Sequence, residues 1–415
     1  MRREDVGPLL QRAADRLPEP DLADAAWAEG VATRRRRRRS ILVGLVVVVL
    51  IALVAAIGVG ASSGNKADFV PPTTPPTDPN DIAPAGQIAG IDYWMAPPPG
   101  SERFLDRLET PLGDRLQLPD KVRSLSDQRI DRIAAVVLLK RGGGYEPLLL
   151  GSDSSWSLAD VQLVAIANGS PLSPGTVSPD GHMAAFPQPG ELVTVDASTA
   201  EVTHYDVPTE DLRSVSWLGD AQRVLVSGPG VAYRVLVGEG GFGEGALVKI
   251  SGTSDPEDVT APFRLDAGAV MRYLVSGQWM MDSALALPVR RWVGQTFSSD
   301  NAAARLFVAD DLPQVPTRVS QPQVVAAIST LRTLPSRLLV LGEPGAAPPT
   351  TGIGPADRQA VREPGCCSVL GWYDDNTPLL EVQGWVLAWD LYSGRVRRVT
   401  ELAVDGLAIG PGVRP

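Results

Sequence analysis

From Ile41 to Gly60 the chain reads ILVGLVVVVLIALVAAIGVG, twenty residues without a charge, a polar side chain or a proline. A helix rises 1.5 Å per residue, so this run reaches about 30 Å, the thickness of a bilayer's hydrocarbon core. A soluble core helix keeps one wetter face, and this stretch has none. In lipid the backbone must satisfy its own hydrogen bonds, which makes a helix the outcome despite the β-branched valines. The sequence therefore predicts a membrane-spanning helix over residues 40–60, with the lipid bilayer as a first partner.

Six arginines, Arg34, Arg35, Arg36, Arg37, Arg38 and Arg39, abut the N-terminal end, whereas only Lys66 carries positive charge in the twenty residues beyond the other end. Positive charge stays on the cytoplasmic side, so residues 1–39 are expected inside and the remainder outside the cell membrane. The whole chain has a net charge of −10. Residues 1–39 hold 10 arginines against 7 acids, and the rest holds 28 basic against 41 acidic residues. An acidic exported portion argues against a nucleic-acid partner. A cleaved signal peptide is the rival reading, with Val59-Gly60-Ala61 a loose match to a cleavage site. Its apolar region is normally shorter and nearer the start, so an uncleaved single-pass anchor is the expectation. Ala52, Ala56 and Gly60 recur at the small-xxx-small spacing that lets two membrane helices approach.

The tail, residues 1–39, places Leu9, Leu10, Ala13 and Leu17 on one helical face after Pro8, and Asp21 at the start of a second short helix. Such short helices are marginal alone in water. Two readings stay open: a frayed tail whose arginines set topology, or a docking segment in residues 1–33 for a cytoplasmic partner. In layout (short helical tail, one span, outer domain) the chain resembles membrane-bound anti-sigma factors, which implies a sensor-regulator as an alternative function. Residues 61–85 read as a stalk. Nine prolines fall between 61 and 100, and Val70 to Pro79 predicts an extended polyproline-type spacer.

Beyond the stalk the pattern changes to short apolar runs, such as Ile133–Leu139, Arg223–Val226 and Leu338–Leu341, bounded by Gly, Pro, Asp and Ser. Helical patterns are scarce; Gln323 to Leu331 is the best candidate. One repeat aligns without a gap: Asp180 to Val202 against Asp374 to Val396, at a constant offset of 194. It pairs Asp180 with Asp374, Gly190 with Gly384 and Asp196 with Asp390. A related start, Ser216-Trp217-Leu218-Gly219-Asp220, follows forty residues after the first. The aspartates are expected to hold turns through their side chains. Forty to fifty residues per unit is the blade length of a propeller.

Ser178-Pro179-Asp180-Gly181, then Met183 to Phe186 and Leu192 to Asp196, resembles the blade signature of TolB-like and WD-repeat-like β-propellers. Leu391-Tyr392-Ser393-Gly394-Arg395-Val396 is similar to its second half. The resemblance implies an all-β ectodomain over 86–415, a propeller of six or seven blades, with Asp180, Gly181, Asp196, Asp220, Asp374, Asp390 and Gly394 as blade-turn residues. Residues 238–320 fit the pattern poorly. The composition, 34 arginines against 4 lysines with abundant Ala, Val, Gly and Pro, is that of a high-GC bacterial protein.

Signs of chemistry are sparse. Gly238-Glu239-Gly240-Gly241-Phe242-Gly243 fits G-x-G-x-x-G, but a β-like run follows where a dinucleotide loop must open a helix, so a hairpin is expected. No G-x-S-x-G, H-E-x-x-H or P-loop occurs. His182 and His204 read as blade residues. Asp310-Asp311 and Asp374-Asp375-Asn376 supply carboxylates to loops but not the six to eight oxygens that calcium needs. No catalytic residue, cofactor or metal is assigned. Cys366 and Cys367, the only cysteines, fall on the exported side, where a disulfide between neighbours, two packed free thiols and one thiol pairing with another molecule are all open readings. The function read from sequence is a membrane-anchored, non-enzymatic binding module with a protein or cell-envelope ligand on the propeller; an extracytoplasmic hydrolase or lyase is the second alternative.

Overall fold

The computed structural model describes residues 81–167, 169–238, 246–250, 259–260, 263–266, 268–273, 279–308, 323–341 and 367–414. The chain divides at Pro76/Thr77, and everything described lies in the second unit. The tail, the apolar run with Arg34 to Arg39, and most of the stalk lie outside the described residues. No helix among the described residues is long and apolar enough to cross a membrane.

Six antiparallel sheets follow one another along the chain. Blade 1 contains Ile133–Arg141, Gly144–Gly151 and Trp156–Leu158, and blade 2 contains Met183–Gln188, Glu191–Asp196 and Val202–Asp206. Blade 3 is Ser214–Trp217, Arg223–Gly228, Val231–Leu236 and Leu247–Lys249; blade 4 is Val259–Thr260, Phe263–Asp266, Ala269–Tyr273 and Trp279–Ala284. Val289–Phe297, Asn301–Val308, Gln323–Ser329 and Arg337–Val340 form blade 5, and Ser368–Asp374, Thr377–Val382, Trp385–Trp389 and Val396–Leu402 form blade 6. The C-terminal strand Ala408–Ile409 then pairs with Ile133–Arg141, so blade 1 is built from both ends of the ring. The molecule is a six-bladed β-propeller.

Each blade buries both faces against its neighbours, and this sets the sequence pattern. In Asn301–Val308, Ala302, Ala304, Leu306 and Val308 pack toward blade 4, whereas Ala303 packs toward blade 6. Similar cores fill the other seams: Leu379, Val386 and Ala388 with Ala134 and Val137 between blades 6 and 1, and Val136 and Leu149 with Phe186 and Val193 between blades 1 and 2. Tyr205 and Leu192 meet Trp217 and Val226 between blades 2 and 3. Between blades 3 and 4 the described residues Leu225, Ala232 and Ile250 are buried together, with Leu218, Tyr273 and Trp279 packed alongside.

Gln323 to Leu331, the best helix candidate by pattern, is instead the strand Gln323–Ser329. Val324, Ala326 and Ile328 face blade 4, and Val325 and Ala327 face blade 6. Burial on both sides removes the polar alternation that marks a strand, so the run reads equally well as a buried helix.

A propeller's outer strands expose unpaired backbone. The residues preceding blade 1 cover three of them as a belt. Gly86–Ile88 and Ile91–Met95 extend blade 5, with Ile91–Met95 parallel to Arg337–Val340. Arg115–Leu116 adds to blade 6 and Arg123–Ser124 to blade 1, again in parallel. The seam between blades 6 and 1 is therefore closed twice, inside by Ala408–Ile409 and outside by the belt.

Candidate functional site

The repeat found by sequence is the same piece of structure. Met183–Gln188, the first strand of blade 2, and Thr377–Val382, the second of blade 6, stand 194 residues apart; Met183–Gln188 and Arg223–Gly228 stand 40 apart. In each case the aspartate just before the strand caps the turn. Asp180 Oδ1 accepts the His182 amide at 3.1 Å and the Ser178 hydroxyl at 2.6 Å. Asp220 Oδ1 accepts the amides of Gln222 and Arg223, both at 3.1 Å, and Asp374 Oδ1 accepts the Asn376 amide at 2.9 Å. Gly181 follows in the left-handed region, at φ 81°.

The turns after Glu191–Asp196 and Trp385–Trp389 match as closely. Asp196 Oδ1 accepts the amides of Ser198 (2.8 Å) and Thr199 (3.0 Å), and Asp390 Oδ1 those of Tyr392 (2.8 Å) and Ser393 (3.2 Å). Burial pulls the Asp196 carboxyl upward, and the hydrogen bonds from Ser198 and Thr199 outweigh it, leaving the group below its ordinary value. Ala200, at φ 64°, and Gly394, at φ 69°, close the two turns. These aspartates thus fix turns at one end of the ring.

Gly394 has a further role. A Cβ there would run into the Trp94 indole of the belt. Trp94 is buried, tilts against Trp389 with ring centroids 6.2 Å apart, lies under the Arg337 guanidinium at 4.9 Å, and donates its Nε1–H to Ile82 O at 2.7 Å. The Ile82 amide in turn donates to Ser393 O at 2.7 Å. The chain is thereby latched onto blade 6 from Ile82 onward.

Asp375, read as a loop carboxylate, joins blades 5 and 6. Its Oδ1 accepts the Ser299 hydroxyl at 2.7 Å and its carbonyl accepts Asn301 Nδ2 at 2.6 Å. His182 Nδ1 lies 2.7 Å from Asp131 O, and His204 Nδ1 lies 3.0 Å from Glu191 Oε2. Among the described residues no group of three or more His, Cys, Asp or Glu side chains is arranged to hold a metal ion. Asp310 and Asp311 lie outside them. Gly238 lies two residues beyond blade 3's third strand, with which Leu247–Lys249 pairs antiparallel, and the rest of the G-x-G-x-x-G lies outside the described residues.

The other end of the ring holds a feature the sequence did not reveal. Burial pushes the Glu381 carboxyl above its ordinary value, and the charge of Arg305 partly offsets this. Glu381 pairs across the sheet with Ser368, and the Arg305 guanidinium donates to the Cys367 carbonyl. Among the described residues Glu381 is the one carboxylate displaced upward. In the sequence it is one glutamate inside an apolar strand, Leu379-Leu380-Glu381-Val382. Cys367 is buried and disulfide-bonded, and Cys366 lies outside the described residues.

No family model matches this sequence, and no curated protein matches it. Solved structures do. Hydrazine synthase of Kuenenia stuttgartiensis is 11% identical over 63% of this chain and 78% of that one, with a TM-score of 0.39. TolB from Acinetobacter baumannii is 12% identical over 49% and 53%, with a TM-score of 0.28. U3-55K is 10% identical over 68% and 85%, with a TM-score of 0.35. At these scores the likeness carries no argument about activity; the fold rests on the six sheets themselves.

Proposed function

We infer that this chain is a single-pass membrane protein whose propeller, held outside the cell membrane, is a non-catalytic binding module. The anchoring rests on the charge-free run Ile41 to Gly60 beside Arg34 to Arg39. The binding role rests chiefly on the doubly closed ring with its side-chain-capped turns. A scaffold of this kind holds loops at the two ends of the ring in fixed positions, and preformed recognition surfaces bind with little ordering cost. An acidic exported portion suits a protein or cell-envelope ligand better than nucleic acid.

Glu381 beside Arg305 is the point at which the hydrolase or lyase reading would enter, because a carboxyl whose proton is held more tightly by burial is a general-acid candidate. Incubating the purified full chain in detergent with cell-envelope fractions separates the two. A binding module is retained on a fraction and leaves its constituents unchanged by mass spectrometry. New products that disappear in Glu381→Gln would replace the binding reading with the enzymatic one.

A further inference from the structure

The seam between blades 5 and 6 turns polar at the end where aspartates cap the turns. Thr296 pairs across the sheet with Ala303, whose side chain packs toward blade 6, so Thr296 faces the same way. Asn301, two residues before Ala303 on its strand, shares that face. Trp372 packs into the seam from blade 6. Thr296 is 7% exposed and Asn301 2%. Yet Thr296 Oγ1, Asn301 Oδ1 and Trp372 Nε1 are all buried without a hydrogen-bond partner in the chain. A polar atom buried unpaired costs more than a made hydrogen bond contributes, so three in one seam call for an occupant.

The Asn301 amide has no better orientation. Its Nδ2 donates to Asp375 O at 2.6 Å and to Asn376 Oδ1 at 3.1 Å, both acceptors, which directs Oδ1 away from them. The three groups stand on the inner two strands of their blades: Thr296 on Val289–Phe297, Asn301 on Asn301–Val308 and Trp372 on Ser368–Asp374. Ala303 and Ala327, small side chains on the same face of blade 5, leave room beside the indole.

We propose that this seam binds an ordered water, held by Trp372, Thr296 and Asn301. The chemistry of the three groups selects it. An indole N–H only donates, so it rejects a cation, and an amide oxygen only accepts, so it rejects an anion. A small neutral molecule that both donates and accepts serves the two, and the Thr296 hydroxyl can do either. Water fits that description, and three partners is its usual number inside a protein. The bound water completes at Asn301 the tie that Asp375 makes to Ser299 and Asn301, joining blades 5 and 6 through polar groups.

All six sheets lie within residues 77–415, so this unit is the one to test, and the outcome does not depend on the anchoring reading. A high-resolution crystal structure should show a water at roughly 2.7–3.2 Å from Trp372 Nε1 and from Thr296 Oγ1 or Asn301 Oδ1. Thr296→Val, which keeps the shape and removes the hydroxyl, should lower the melting temperature by roughly 1–3 °C, because the water loses a partner. A rise in melting temperature overturns the proposal, since that is the relief expected from removing a hydroxyl that nothing satisfies. A dry seam, a seam in which the three groups bond one another directly, or a larger solute in the water's place overturns it as well.

Discussion

Gly394→Ala tests how the belt is held. Two costs arise. The left-handed backbone costs a non-glycine residue up to about 1 kcal/mol, and the new methyl must displace the Trp94 indole. Moving the indole loses its hydrogen bond to Ile82 O, about 1 kcal/mol, and its contact with Arg337, about 0.5–1 kcal/mol, besides packing against Trp389. Complete loss of a buried tryptophan sets a ceiling near 5 kcal/mol. The expected loss is about 3 kcal/mol, a melting shift of roughly 3–6 °C for a unit of this size, with new protease cutting in residues 81–104. The molecule supplies its own control. Ala200 occupies the equivalent position in blade 2 with the same backbone sign, so Ala200→Gly should change stability by no more than about 1 kcal/mol, in the stabilising direction. If Gly394→Ala costs no more than the backbone contribution, or leaves the belt resistant to protease, the latch is not holding the belt.

Two further outcomes follow from the same structure. Glu381 is held above its unfolded value, so its favourable contribution exists at low pH and is lost as pH rises through the folded value; Glu381→Gln should therefore raise the melting temperature at pH 7 to 8 and lose that advantage below pH 4, and the opposite trend would refute the burial argument. Asp153, held down by Ser155, and Asp160, held down by the hydroxyls of Ser124 and Ser126, contribute stability that is present above the unfolded value and lost as pH falls. Asp160→Asn should flatten part of the acid limb of a melting-temperature profile and expose the belt end near Ser124 to protease.

The blade repeat was legible because turns need particular residues: aspartate to accept turn amides, and glycine where φ is positive. Asp180, Asp196, Asp374 and Asp390 could be aligned without a gap for this reason. Strands buried on both faces were less legible, as Gln323–Ser329 shows, because their hydrophobic pattern has no period. The count of six required the sheets, since Val259–Thr260 and Phe263–Asp266 are too short to stand out as strands. The belt was hidden too. Short parallel additions leave little pattern, and Arg115–Leu116 depends on a partner strand nearly 300 residues away. Glu381 gave no sign because its environment is tertiary: a strand position opposite Ser368 near an arginine of the next blade.

The central claim is that Ile41 to Gly60 holds the chain in the membrane with the propeller outside. Carbonate extraction of membranes, followed by protease treatment of intact spheroplasts, tests it directly. The full-length chain should stay in the carbonate pellet, and external protease should remove the C-terminal unit while sparing the tail. A full-length chain released by carbonate, or a propeller protected until the cells are lysed, would contradict the account.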